Sequence, residues 1–160
     1  MKNSVHFLQS FRRRAVLVFA MLSIAIPLAA SYPTIMKSHA SPAKRPAPAE
    51  FGLGPRVSAE GRFLATLEPE SSLRPRQMQS IRLLVTDRDG RAVDDATLAI
   101  DGGMPQHGHG LPTRPRMTQR LGEGAYRIEG LRFSMGGWWE LEVTIAAGGF
   151  TDTVTFNLDL

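Results

Sequence analysis

The chain has 160 residues, a formal charge of +4 and no cysteine, which excludes a disulfide scaffold, a thiolate metal site and a cysteine nucleophile. The positive charge is unevenly placed: residues 1–50 carry seven cations against Glu50, whereas residues 51–160 carry 12 arginines, no lysine and 14 acids. The C-terminal part is therefore slightly acidic and lacks the basic face that a nucleic-acid partner requires.

Residues 1–40 read as an export leader. Arg12-Arg13-Arg14 precedes the apolar run 15–30, in which Ser23 is the only polar side chain. This is the layout of a signal peptide or an N-terminal membrane anchor. The run is long for a signal peptide and short of the ~20 residues that a spanning helix prefers. Pro27 favours the signal peptide, with cleavage after Ser31 or Ala40. Uncleaved, the segment would tie the protein to the membrane. In either case the arginines stay cytoplasmic and the rest is exported, to the periplasm or the outer face of the cytoplasmic membrane.

Residues 41–58 read as a Pro/Ala-rich linker. Pro42, Pro46, Pro48 and Pro55 withhold backbone N–H groups and predict an extended spacer without helix or ladder bonding.

Residues 59–160 show a period of two. Arg62–Glu68 places Phe63, Ala65 and Leu67 on one face. Gln77–Thr86 follows and ends at the turn signal Asp87-Arg-Asp-Gly90. Further strands are expected at 96–100, 116–121, 124–133, 138–145 and 150–158, with Asp94-Asp95 marking a bend. In 138–145 the alternation sends Trp139, Leu141, Val143 and Ile145 inward and Trp138, Glu140 and Glu142 outward. About seven strands in roughly a hundred residues predict an all-β, immunoglobulin-like sandwich. Tyr126, following a glycine turn, is placed to bond back to a corner of that sandwich.

The stretch Asp101-Gly-Gly-Met-Pro-Gln-His-Gly-His-Gly110 reads as a loop between strands, and it is where residue types suggest chemistry. His107 and His109 are separated by one residue, and Gly108 and Gly110 leave the backbone free to converge them. Met104 lies three residues upstream of His107, and Met117 and Met135 belong to segments that could meet this loop. Thioethers with imidazoles favour Cu(I), whereas histidines with an oxygen such as Asp101 suit Cu(II) or zinc. The bland alternatives are a flexible polar loop and methionines that fill gaps in a core. No nucleophile elbow and no phosphate-cradling glycine loop opening a helix is present, so an enzyme is not expected. Arg114, Arg116, Arg120 and Arg132 are expected on solvated strand faces.

Taken together, Met104-Pro-x-His107-Gly-His109-Gly, Pro112-Thr113, Leu121-Gly-x-Gly-x-Tyr126 and Phe133-x-Met135-x-Gly137-x-Trp139-x-Leu141-x-Val143 resemble the YtkA-like and FixH-like family. The resemblance covers roughly residues 60–160. It implies a small exported or membrane-anchored sandwich domain, and its FixH-type members are associated with assembly of copper-containing respiratory oxidases. The leading expectation is therefore a non-catalytic copper-binding or copper-transfer domain, with Met104, His107, His109, Met117 and Met135 as candidate ligands. A metal-free module binding an envelope or membrane protein is the alternative, and a small-ligand carrier with a pocket between the sheets is a third reading.

Overall fold

The computed structural model describes residues 43–160, so the expected leader at 1–40 lies outside the described residues. Nine strands build two antiparallel sheets, ordered β1-β2-β3-β7-β6 and β5-β4-β8-β9. Their ranges are β1 Arg56–Val57, β2 Phe63–Pro69, β3 Gln79–Asp87, β4 Thr97–Met104, β5 His109–Gly110, β6 Arg116–Gly122, β7 Ala125–Leu131, β8 Trp138–Ala147 and β9 Phe150–Asp159. Seven of these are long and match the expected strands; the other two, β1 and β5, are two residues each. Among the described residues no helix is long and apolar enough to cross a membrane.

The alternation of apolar residues decides which faces meet. Phe63, Ala65 and Leu67 of β2, Ile81, Leu83 and Val85 of β3, and Trp139, Leu141, Val143 and Ile145 of β8 are all buried. They share one core with Val154, Phe156 and Leu158 of β9. Trp139 packs edge-on against Phe133 at 5.2 Å between ring centroids, and its indole N–H donates to the Met135 carbonyl at 3.0 Å. A buried indole needs such a partner.

Two expectations are corrected. Trp138 does point away from the core, yet only 3% of it is exposed. Its Nε1 donates to Asn157 Oδ1 at 2.9 Å, and the Asn157 amide in turn donates to the Glu50 carbonyl at 3.3 Å. The partner that covers Trp138 is thus remote in sequence, which alternation cannot reveal. The linker is the second case. Residues after Ala47 are a folded arm, not a free spacer: Pro48–Glu50 forms a 3-10 turn, Gly52 N–H bonds the Asn157 carbonyl at 2.9 Å, and β1 pairs with β2. Proline at the start of a helical turn lacks only an N–H that the turn does not use. The residues that do bond, Gly52, Arg56 and Val57, keep theirs.

One corner carries the chain from one sheet to the other. Between β3 and β4 it crosses through residues 92–96, and there the Tyr126 hydroxyl accepts from Ala96 N–H at 2.9 Å and donates to the Val93 carbonyl. Burial of the phenol raises its pKa, so it stays protonated and able to donate. Asp94 adds a bond from Gly124 N–H at 2.6 Å. Tyr126→Phe keeps the packing but leaves the Ala96 N–H and Val93 carbonyl without their partner. It should destabilise the fold by about 1–3 kcal/mol in urea denaturation, with an unchanged m-value.

A second corner joins the turn after β1 to β9. Asp152 is 5% exposed; its carboxylate accepts from Glu60 N–H at 3.1 Å and Arg62 N–H at 3.3 Å. Burial pushes its pKa up, but hydrogen bonds from the Ser58 hydroxyl and from the Glu60, Thr153 and Arg62 N–H groups outweigh it and hold the pKa below the ordinary aspartate value. A depressed carboxylate contributes stability above its unfolded pKa and loses it as pH falls through the folded one. Asp152→Asn should therefore lower Tm at neutral pH. The gap to the parent should close in acid, below the usual aspartate range, when Tm is followed against pH.

Candidate functional site at the histidine hairpin

The stretch expected to be an irregular loop is a tight hairpin. β4 continues through Gly102, Gly103 and Met104, a turn covers 105–108, and β5 returns with Met104 opposite His109 and Gly103 opposite Gly110. The Met104 carbonyl closes the turn by accepting from His107 N–H at 3.0 Å and Gly108 N–H at 2.9 Å. Gly108 is left-handed, with φ of 64°, a conformation that favours glycine. Gly102 serves a different need, because a Cβ there would lie 2.5 Å from the Glu140 carbonyl oxygen of β8. The glycines that make the hairpin are therefore 102, 103 and 108. β5 ends at Gly110 because Pro112 and Pro115 withhold the N–H groups that would extend the ladder.

The structure brings some of the candidate residues together and separates others. His107 and His109 are exposed, with rings nearly parallel at 10° and centroids 6.3 Å apart. Met104 is directly opposite His109 in register, but it is only 2% exposed and belongs to the core. Its methyl end packs against Gly137. Met117 lies in the other sheet, opposite Ile128 of β7, packed against the core. Met135 is 39% exposed in the connection between β7 and β8. A groove of about 290 Å3 beside the hairpin is lined by Asp101, Met104, His109, Glu140 and Glu142 among others, and not by Met117 or Met135. Among the described residues no group of three or more His, Asp or Glu side chains converges as a metal site.

Met78 at the same end of the sandwich was missed from sequence. It is 63% exposed and sits just before β3, whose Gln79 pairs with Leu131 near the β7–β8 connection. The alternation of Ile81, Leu83 and Val85 does not reach it, because the register shifts between Gln79 and Ile81 and Met78 lies before the strand begins.

The groove has its own electrostatics. Asp101 is opposite Glu142, and Gly103 opposite Glu140, across the β4–β8 pair. Burial, and then the charge of Glu142, raise the pKa of Glu140. Asp101 accepts from the neighbouring Gly102 N–H at 2.7 Å.

The fold and the hairpin first define a class: a small antiparallel two-sheet sandwich bearing a paired-histidine turn at one end. The chain belongs to the YtkA-like family, whose model matches residues 63–144. That match spans β2 to most of β8 and so includes the whole hairpin. The FixH-like part of the resemblance rests on the sequence motifs alone. No curated protein matches the chain. A solved structure described as "ZirS C-terminal Domain" aligns with 94% of this chain and 97% of its own at 13% identity and a TM-score of 0.35, a likeness too low to bear on fold or role.

The raised pKa of Glu140 gives a test of the groove. Above the ordinary glutamate range the native state holds a carboxylate in an unfavourable place, and the cost disappears as the group protonates. Glu140→Gln should raise Tm at neutral pH and leave it unchanged in acid. An equal shift at both pH values would show that charge is not the cause.

Proposed function

We propose that this YtkA-like domain is a non-catalytic, exported protein that binds or passes copper in the cell envelope through the His107–His109 hairpin. The observation that carries the reading is the pair of exposed, nearly parallel imidazoles 6.3 Å apart on a turn of fixed geometry. That separation is within reach of one ion bound by both rings at bonds of about 2 Å, after side-chain rotation alone. Met104, opposite His109, is the nearest thioether in register. Because it is buried, its sulfur would join the site only if the hairpin eased away from Gly137. Met135 and Met78, exposed at the same end, are the thioethers a Cu(I) ion would meet from solvent, and Met117 ranks last because it packs against the core. The imidazole and thioether chemistry suits copper better than a hard cation. Export, with residence in the periplasm or at the membrane surface, rests on the leader sequence. A role beside the assembly of a copper-containing respiratory enzyme rests on the FixH-like motifs.

A second reading, a metal-free module that docks an envelope protein, draws support from β6. It is the last strand of its sheet, and six of its seven residues are exposed. Such an edge can accept another strand.

Anaerobic titration of the full chain with Cu(I) against a chromophoric chelator separates the two, with Cu(II) and zinc in parallel. The His107→Ala/His109→Ala variant should bind one equivalent less than the parent. Met104→Leu, which preserves core volume, should weaken Cu(I) selectively if the buried sulfur takes part. Equal copper binding by the parent and the double-histidine variant would end the copper reading and leave the docking module.

A further inference from the structure

The opposite end of the sandwich carries a cleft of about 520 Å3, within the ~300–1,000 Å3 common for small-molecule sites. It opens where β3 hands over to β4 and where β8 turns into β9. Phe63, Val93 and Ala147 contribute its apolar lining. Phe150, half exposed, forms a wall, and the Arg62 guanidinium lies over its ring at 4.1 Å. This stacking holds a cation and an aromatic face side by side at the rim.

The charges around the cleft divide into engaged and free. Arg91 is held by Asp87 at 2.8 Å and by Asp89 at 2.5 Å. Asp94 is committed to the Gly124 N–H. Arg88 and Asp95 also line the cleft, and neither enters an ion pair among the described residues. One cleft thus offers a free cation, a free anion and an apolar, half-open wall. A simple anion would leave Asp95 unserved and would face Asp87, Asp89 and Asp94. A simple cation would leave Arg88 unserved beside Arg62. An uncharged apolar molecule would leave both free charges without a partner.

We propose that this cleft binds a zwitterionic amino acid or short peptide with an apolar side chain. The ligand carboxylate pairs with Arg88, next to Arg62, in the forked geometry that guanidinium groups give carboxylates. The ammonium pairs with Asp95, and the side chain covers Phe150 and Val93, removing apolar surface from water. The cleft is at the far end from the hairpin, so the assignment stands independently of copper.

Calorimetric titration of the full chain tests it, using L-phenylalanine, the dipeptide phenylalanyl-alanine, N-acetyl-L-phenylalanine and L-phenylalaninamide. The acetylated compound lacks the ammonium, and the amide lacks the carboxylate. At least one of the two zwitterions should saturate a single site, and whichever is tighter tells a free amino acid from a peptide. Each blocked compound should bind roughly tenfold more weakly or worse, having lost one charged hydrogen bond. Asp95→Asn should erase the preference over the acetylated compound, and Arg88→Gln the preference over the amide; both positions are exposed, so both variants should melt like the parent. Failure of both zwitterions to saturate at millimolar concentration would overturn the assignment. So would equal binding of zwitterions and blocked compounds, or preferences that survive both substitutions.

Discussion

The Tyr126 hydroxyl is the interaction on which the arrangement of the two sheets depends. It spans the Val93 carbonyl and the Ala96 N–H, the last groups before the chain commits to β4. Arg120 reaches the same place, donating to the Ala96 carbonyl at 3.1 Å, so two strands, β7 and β6, converge on one backbone turn. With the start of β4 fixed, its pairing with β8 runs on from Thr97 opposite Ala146 to Gly103 opposite Glu140 without a shift in register. The position of the histidines at the far end follows from that register. The ladder of β4 and β8 thus links the tyrosine corner at one end of the molecule to the hairpin at the other.

Much of the fold was legible because each long strand is buried on one face only. A strand in that position writes its orientation into odd and even residues, as in Trp139, Leu141, Val143 and Ile145. The tyrosine corner was legible for another reason: a glycine turn and a single buried phenol leave few partners for the hydroxyl. Three things were not legible. The continuation of β4 into the glycines depends on a carbonyl of β8 that only glycine lets approach. The burial of Trp138 depends on Asn157 and the arm near Glu50. The burial of Met104 depends on the space beneath Gly137. In each case the deciding neighbour is distant in the chain, and local pattern carries no trace of it.

The candidate site divides along the same line. His107 and His109 are close in space because they are close in sequence and a short turn joins them. The methionines are long-range participants, and their fates differ: Met104 and Met117 serve the core, whereas Met78 and Met135 stay open to solvent. Beside them, Asp101 and Glu142 stand directly across from each other, a like-charged pair that weakens a sheet locally. Hydration of the two exposed side chains and the Gly102 N–H limit that cost. Around the hairpin, the sheet therefore carries a polar, negatively charged outer surface over a tightly packed interior.

The ion pair between Arg45 and Asp159, at 2.8 Å, brings the first described residues against the last strand. The arm ahead of β1 and the end of β9 consequently lie side by side. A unit closed in this way can be spliced into an exposed loop of a host protein as a single cassette, entering and leaving at one point, with little strain on either partner. By the same geometry, joining the ends through a short loop and reopening the chain at the exposed Gly148-Gly149 turn would give a permuted molecule with the same sheets. Its new termini would emerge at the opposite end, leaving the histidine hairpin free of attachments.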